Sequence, residues 1–328
     1  MERIPLSNQT FEGNNNAYLF ADGPETVLVD TGDHLPDTAE QLEASLRDHG
    51  TAMAEVDRLF LTHWHGDHRG LAGQIQQASG ATVCAHSADA PLIAGDAEAW
   101  ERMIDKQERY FEQWGMPEEK RDPLRDVLDN TAWREDTPTV TTIEDGEAFS
   151  VNDHTLTTVH APGHTAGLCV FETTIDGEMV ALTGDALLPE YTPNVGGADI
   201  RVDRSLATYL RTLRAVADAE YGRAWPGHRD PIDNPTARAE FIINHHEERA
   251  WRVLDAVRRH GPCDAWTVSD SLFGDLHHIH ILHGPGEAYA HLAHLEREGA
   301  VERDGGEYWL AEGVAEQLDA RADERWPL

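Results

Sequence analysis

The stretch "FLTHWHGDHRG", residues 60 to 70, decides how the chain is read. Four side chains of metal-ligating type fall within six positions: His63, His65, Asp67 and His68. Imidazole nitrogen and carboxylate oxygen are the usual zinc ligands where no thiolate takes part. The apolar run "VDRLFLT" reads as a strand that stops just before His63. His63 and His65 alternate beyond that strand end, so both rings can point to one side. Gly66 opens a turn that can aim Asp67 and His68 at a second point. A lone histidine is more often structural, but candidate ligands packed this closely point to metal.

Two ligands per ion leave each ion short, so others must come from elsewhere. Three later residues share one signature, a ligand-type side chain at a strand end next to glycine. They are His164 in "APGHTAG", Asp185 in "LTGDALL" and His228 in "WPGH". Together they complete two tetrahedral-like sites.

The ordered motifs, H-x-H-x-D-H, then P-G-H-T-x-G, then T-G-D, then G-H, resemble those of the metallo-β-lactamase superfamily. "TVLVDTG", residues 26 to 32, matches that family's early strand, and the resemblance covers roughly residues 10 to 230. It implies an α+β fold, a four-layer αββα sandwich with the metals at one edge of the paired sheets. It also implies that one ion takes His63, His65 and His164, that a second takes Asp67, His68 and His228, and that Asp185 bridges them. The carboxyl-terminal part, with "HHEERAWRVL" before a winged-helix pattern, is similar to the β-lactamase-like protein 2 subgroup. True metallo-β-lactamases lack a bridging aspartate, so Asp185 argues against antibiotic hydrolysis. Flavodiiron proteins need glutamate where this chain has His65. Nucleases with an inserted β-CASP domain are much longer. Persulfide dioxygenases share many motifs but use one iron and lack a winged helix.

A hydroxide held between two cations is a nucleophile at neutral pH, because the metals lower the pKa of water. Asp67 is the expected catalytic residue, orienting that hydroxide and accepting its proton. Two Zn2+ ions per chain are expected from the nitrogen and oxygen ligands, and softness alone leaves iron or manganese open. Tyr191 and Asn194, in "LLPEYTPNVGG", are candidate substrate contacts, with packing as the competing role. The cluster "DLHHIHILH", holding His277, His278, His280 and His283, has no carboxylate at the family's spacing. The three cysteines, Cys84, Cys169 and Cys263, sit beside apolar residues and read as buried thiols in a reducing compartment.

Composition weighs on the substrate. The chain of 328 residues has 60 acidic against 26 basic residues, a formal charge of −34, and only two lysines, Lys106 and Lys120. The acids are spread along the whole chain, which reads as a hydrated, self-repelling surface suited to a salty cytoplasm, with stability rising as salt screens it. No apolar run approaches the ~18 residues of a membrane span, and the start lacks a signal-peptide pattern, so a cytoplasmic location without membrane contact is expected.

The expected domains are a hydrolase-like domain over 1–235, with a helical insertion or lid at 89–130, and a winged-helix-like domain over 236–328. In the latter, "TARAEFIINHHEERAWRVLDAVRRHG" reads as a long helix, a Gly-Pro break precedes "AYAHLAHLEREGAV", and a hairpin turns at Asp304-Gly305. Its helix "GEAYAHLAHLEREGAV" has one arginine and three glutamates, so duplex DNA is not an expected partner. In the lid, Arg102, Arg109, Lys120, Arg121 and Arg125 mix with more acids, and Trp100, Tyr110, Phe111 and Trp114 are expected to line an apolar cleft. That mixture suits a small acyl substrate, so the sequence predicts a dinuclear zinc hydrolase of thioester or ester type, glyoxalase II-like. A single-strand endoribonuclease is the alternative, and RNA is a partner only under it. A lactonase and a mono-iron persulfide dioxygenase are minor alternatives, a structural metal scaffold is disfavoured, and a homodimer is left open.

Overall fold

A computed structural model describes residues 1–8, 13–129, 136–277 and 279–328. Asn130, at the end of the expected lid, and His278 of the histidine cluster lie outside the described residues. Two compact units are present, both discontinuous in sequence. One comprises Met1–Trp100, Thr131–Pro193 and Arg214–Ala239, the other Glu101–Asn130, Asn194–Leu213 and Glu240–Leu328.

The first unit holds two sheets. One runs in chain order, β1 (Glu2–Leu6), β2 (Asn15–Phe20), β3 (Val27–Val29), β4 (Arg58–Phe60), β5 (Thr82–His86) and β6 (Val140–Ile143). From β3 to β6 the pairing is parallel, which requires crossovers. The helices α1 (Pro36–Asp48), α2 (Gly66–Arg69), α3 (Ala72–Ser79) and α4 (Ala90–Ile93) lie in those connections, with α1 packed on β1 and α3 on β5. The other sheet comprises β7 (Ala148–Val151), β8 (His154–His160), β9 (Cys169–Ile175), β10 (Glu178–Gly184) and β11 (Arg223–Pro226), ordered β11-β10-β9-β8-β7. Only β11 joins it parallel, to β10.

One apolar core lies between the two sheets. Tyr18, Phe20, Val29, Phe60 and Cys84 from the first meet Val151, Leu156, Cys169, Phe171 and Leu182 from the second. The Phe60 ring lies 5.4 Å from that of Phe171 and 5.1 Å from that of Phe149, edge-on or tilted as aromatic quadrupoles prefer. All six residues of β2 are buried, as expected for a strand covered on both faces. All three cysteines are free and buried.

In the second unit are α5 (Ala97–Gln113), α6 (Glu118–Asp129), α8 (Pro235–His260), α9 (Ala265–Phe273), α10 (His280–Arg297), the hairpin β12 (Val301–Asp304) and β13 (Glu307–Leu310), and α11 (Val314–Ala320). The helix α7 (Ser205–Asp218), which the sequence reading did not pick out, straddles the two units, and α5 and α8 begin in the first. Two expectations need correcting here. The Gly284-Pro285 pair does not break the chain, because α10 starts at His280 and runs through Pro285. Close packing explains the neighbouring glycine: a Cβ on Gly286 would sit 2.2 Å from the Gly197 Cα. Nor do all four lid aromatics line a cleft. Phe111 and Trp114 are 1% and 0% exposed, and Trp114 packs against Tyr289.

Among the described residues, no helix is long and apolar enough to cross a membrane.

Candidate metal centre

The seven residues singled out in the sequence meet at one edge of the paired sheets. His63 follows β4, Asp67 and His68 ride on α2, His164 sits in the β8–β9 loop, Asp185 follows β10 and His228 follows β11. All except His65 are at least nine-tenths buried. They form three overlapping groups whose ligand atoms lie within 4.8 Å of one another: His63, His65 and His164; His63, His68 and Asp185; Asp67, His68 and His228.

Glycines let the strand ends converge. A Cβ on Gly184, whose φ is +48°, would strike Thr62 at 2.7 Å. One on Gly227 would lie 2.5 Å from both Asp185 Oδ1 and His68 Cε1, so any side chain there would fill the site. The start of β2 ties down the last ligand: Asn16 N–H donates to Gly227 O at 2.7 Å, and Asn16 Nδ2 donates to Pro226 O at 2.9 Å.

Asp30 organises the histidines. Its Oδ1 accepts from Thr62 N–H at 2.8 Å, and its Oδ2 accepts from Thr62 Oγ1 at 2.7 Å and from His68 Nδ1 at 2.9 Å. A carboxylate can only accept, so His68 carries its proton on Nδ1 and turns Nε2 inward. Because the Thr62 hydroxyl donates to Asp30, it accepts from His63 Nδ1, 3.0 Å away, and His63 too presents Nε2. His228 Nδ1 lies 3.2 Å from Gly13 O and donates to it, which leaves a third Nε2 facing in.

These inward nitrogens fit a cation. His65 Nδ1 lies 3.1 Å from His63 Nε2 and 3.0 Å from His164 Nε2, a spacing at which lone pairs need a proton or a metal ion between them. His68 Nε2 and Asp185 Oδ1 stand 3.5 Å apart, and neither finds a hydrogen-bond partner among the described residues. Asp185 faces both sides, with Oδ2 3.6 Å from His164 Nε2 and 3.6 Å from His228 Nε2. Asp67 Oδ2 lies 3.4 Å from His228 Nε2 and accepts from Asn8 and Asn15, each at 3.3 Å. The donor set, all nitrogen and oxygen, suits a divalent metal.

Without metal, protons do a cation's work. Burial works against a charged His228, but Asp185 and Asp67 overcome it and push that imidazole up to about 10. Burial likewise opposes charge on His68, which Asp185, Asp67 and Asp30 nonetheless raise. The carboxyls of Asp67 and Asp185 are held below their usual range against the effect of burial, by His68 and His228. His63, buried and beside His68 and His65, is pushed down. The His228 proton stabilises the metal-free fold below the unfolded value near 6.5, and that contribution is lost as pH rises toward about 10. A metal must displace that proton, so its affinity moves the other way, rising about tenfold per pH unit for each proton released. Calorimetry at pH 7.5, in buffers of different ionisation enthalpy, is expected to show proton release on metal binding. Metal uptake without proton release would contradict this account of the histidines.

The other candidates are placed as follows. Tyr191 is 51% exposed, with the Arg229 guanidinium 4.7 Å from its ring centre. Asn194 accepts from Gly197 and Ala198 N–H and donates to His283 O, which fixes its own loop in the second unit. Lys120 pairs with Asp275 at 2.9 Å, and Arg125 pairs with Glu108 and Asp122, each at 2.7 Å. His277, beside Asp275, is exposed, and His280 and His283 neighbour each other. Sequence reading missed a buried set in the second unit, His246, Glu287 and His291. Its signal was the i, i+4 spacing of Glu287 and His291 on one helix face. Arg249 already pairs with Glu287, and His246 Nδ1 lies 3.3 Å from His291 Nε2.

The sequence profile of the metallo-beta-lactamase superfamily matches residues 10–228. The chain belongs to this superfamily. A metallo-beta-lactamase family protein of Thermus thermophilus shares its fold with a TM-score of 0.81 at 31% identity, over 94% of this chain and 98% of that one. A beta-lactamase-like protein 2 homolog of Caenorhabditis elegans is 24% identical over 81% of this chain and 72% of its own length. An atrochrysone carboxyl ACP thioesterase of Emericella nidulans is 26% identical over 78% of this chain. The chain spans only 64% of that thioesterase, and 60% and 61% of two further fungal relatives. Superfamily membership accords with a hydrolase-type fold carrying a metal-binding cluster of histidines and aspartates.

Proposed function

We propose that the chain is a dinuclear zinc hydrolase acting on a small thioester or related ester. His63, His65 and His164 would hold one ion, Asp67, His68 and His228 the other, and Asp185 would serve both. The observation that carries this reading is the position of Asp185, whose Oδ2 lies 3.6 Å from both His164 Nε2 and His228 Nε2. A carboxylate placed between two nitrogen clusters suits two cations better than one.

Bound zinc would supply Lewis acidity and water of lowered pKa. The protein's own groups do the rest. Asp67, ionised and held by Asn8 and Asn15, orients the attacking water. Asp30 keeps His63 and His68 in the tautomers that offer Nε2. Tyr191, exposed beside Arg229, is a candidate to meet the substrate.

The thioester assignment is supported by the fungal thioesterase among the relatives and by a charge of −34, which disfavours a polyanion. The kinship with beta-lactamase-like protein 2 homologs keeps RNA cleavage as a second reading. Within the proposed winged-helix-like domain, eleven of the eighteen residues of α10 are buried, which leaves little surface for a DNA groove. The test is a parallel assay in molar salt with S-lactoyl thiols, acyl thioesters, a lactone and single-stranded RNA. Thioester hydrolysis that is lost in Asp67→Ala is the expected result. RNA cleavage lost in that variant, without acyl hydrolysis, would replace this reading with the nuclease one.

A further inference from the structure

We infer that Asp89, a residue in none of the metal motifs, is the positioning residue that holds the three-histidine half of the centre together. The inference rests on the proposed two-metal reading. Asp89 lies just before α4, is 0% exposed, and follows β5, whose end supplies none of the candidate ligands. Its carboxylate reaches both loops that supply the first ion. Oδ2 accepts from the N–H of Trp64, the residue between His63 and His65, at 3.2 Å. The same oxygen accepts from the hydroxyl of Thr165, the residue after His164, at 2.8 Å. Oδ1 accepts from Gly167 N–H at 2.9 Å.

The fit leaves no slack. A Cβ on Gly167 would lie 2.7 Å from Asp89 Cγ, so the second loop closes on the carboxylate only as glycine. On the first loop, the carbonyl of Trp64 accepts from Arg69 Nε at 2.8 Å, so the peptide between the two histidines is pinned at both ends. The ligands of the other ion depend on different anchors, Asp30, Asn15 and the start of β2. Asp89 therefore sets the spacing of His63 and His65 against His164 and leaves Asp67 and His228 alone.

An amide in its place cannot do this. Gly167 and Trp64 offer backbone N–H groups to opposite oxygens, and neither N–H can turn away. Whichever way the amide of Asp89→Asn flips, its NH2 meets a donor, while the side-chain volume is unchanged. The experiment is a cobalt(II) titration of the chelated full-length protein, read by visible d–d absorption. It compares the parent with Asp89→Asn, Thr165→Val, His164→Ala and His228→Ala. The parent should take up two equivalents. In Asp89→Asn one equivalent should weaken by about 10–100-fold, and the spectrum of the ion that remains should match His164→Ala. Thr165→Val, which loses a single bond to Asp89, should weaken the same equivalent by less. If Asp89→Asn fails to fold by circular dichroism, Thr165→Val carries the same readouts and outcomes. Parental affinity for both ions, or a residual spectrum matching His228→Ala, overturns the inference. A parent that binds fewer than two equivalents defeats the two-metal reading instead.

Discussion

Asp185→Asn is expected to cut turnover by more than about 100-fold, since even the outer partners of metal ligands cost about 10–100-fold when lost. The side chain is buried and lies between the two ligand clusters, with Oδ1 toward His68 and Oδ2 toward His164 and His228. Asparagine keeps the shape and removes the charge that would offset two cations under the proposed reading. The amide also places an NH2 where one side needs a lone pair. Circular dichroism should be unchanged, because Asp185 lies at the sheet edge, outside the apolar core between the sheets. Steady-state kinetics with matched metal analysis is the measurement. A variant that retained both parental turnover and parental metal content would show that Asp185 is not shared between ions.

Asp30→Asn is the second large effect, and it acts without touching metal. The native φ of +59° is one that asparagine also tolerates, so the backbone need not move. If the new NH2 faces Thr62 N–H, two buried donors meet, at a cost of about 1–3 kcal/mol. If it faces His68 and the Thr62 hydroxyl, both must reverse. His68 would then carry its proton on Nε2, the atom that should hold metal. The hydroxyl of Thr62 would no longer accept from His63, so the disturbance reaches both halves of the centre. Turnover should fall by about 100-fold or more, a tautomer error of this kind costing up to about 10⁴ in serine protease triads. In the zinc-loaded protein, nitrogen-15 chemical shifts of the histidine rings read directly which ring nitrogen keeps its proton. Unchanged His68 shifts with parental activity would remove Asp30 from this role.

The candidate site was legible because each of its residues sits in a short local motif at a strand end, where chemistry-bearing side chains stand out against apolar runs. His63, His65, Asp67, His68, His164, Asp185 and His228 all meet in the structure. Their supports were less visible. Asp30 could be seen in "TVLVDTG", but its bond to His68 spans 38 positions. Asp89 bonds to Thr165 across 76 positions and has no motif of its own. The strands β4, β5, β10 and β11 announce themselves as apolar runs closed by turns. Pro285 misled because proline usually marks a boundary, whereas near the start of α10 it removes only an early helical bond. Phe111 and Trp114 misled in turn, since a helical aromatic stripe looks the same whether it faces a cleft or a partner such as Tyr289.

The most direct test of the central claim joins metal analysis to activity in one sample. The protein, purified gently and in high salt, should contain about two equivalents of zinc, and thioester hydrolysis should vanish on chelation and return only as the second equivalent is restored. One tightly bound iron, with oxidation of a persulfide and no thioester hydrolysis, would contradict it.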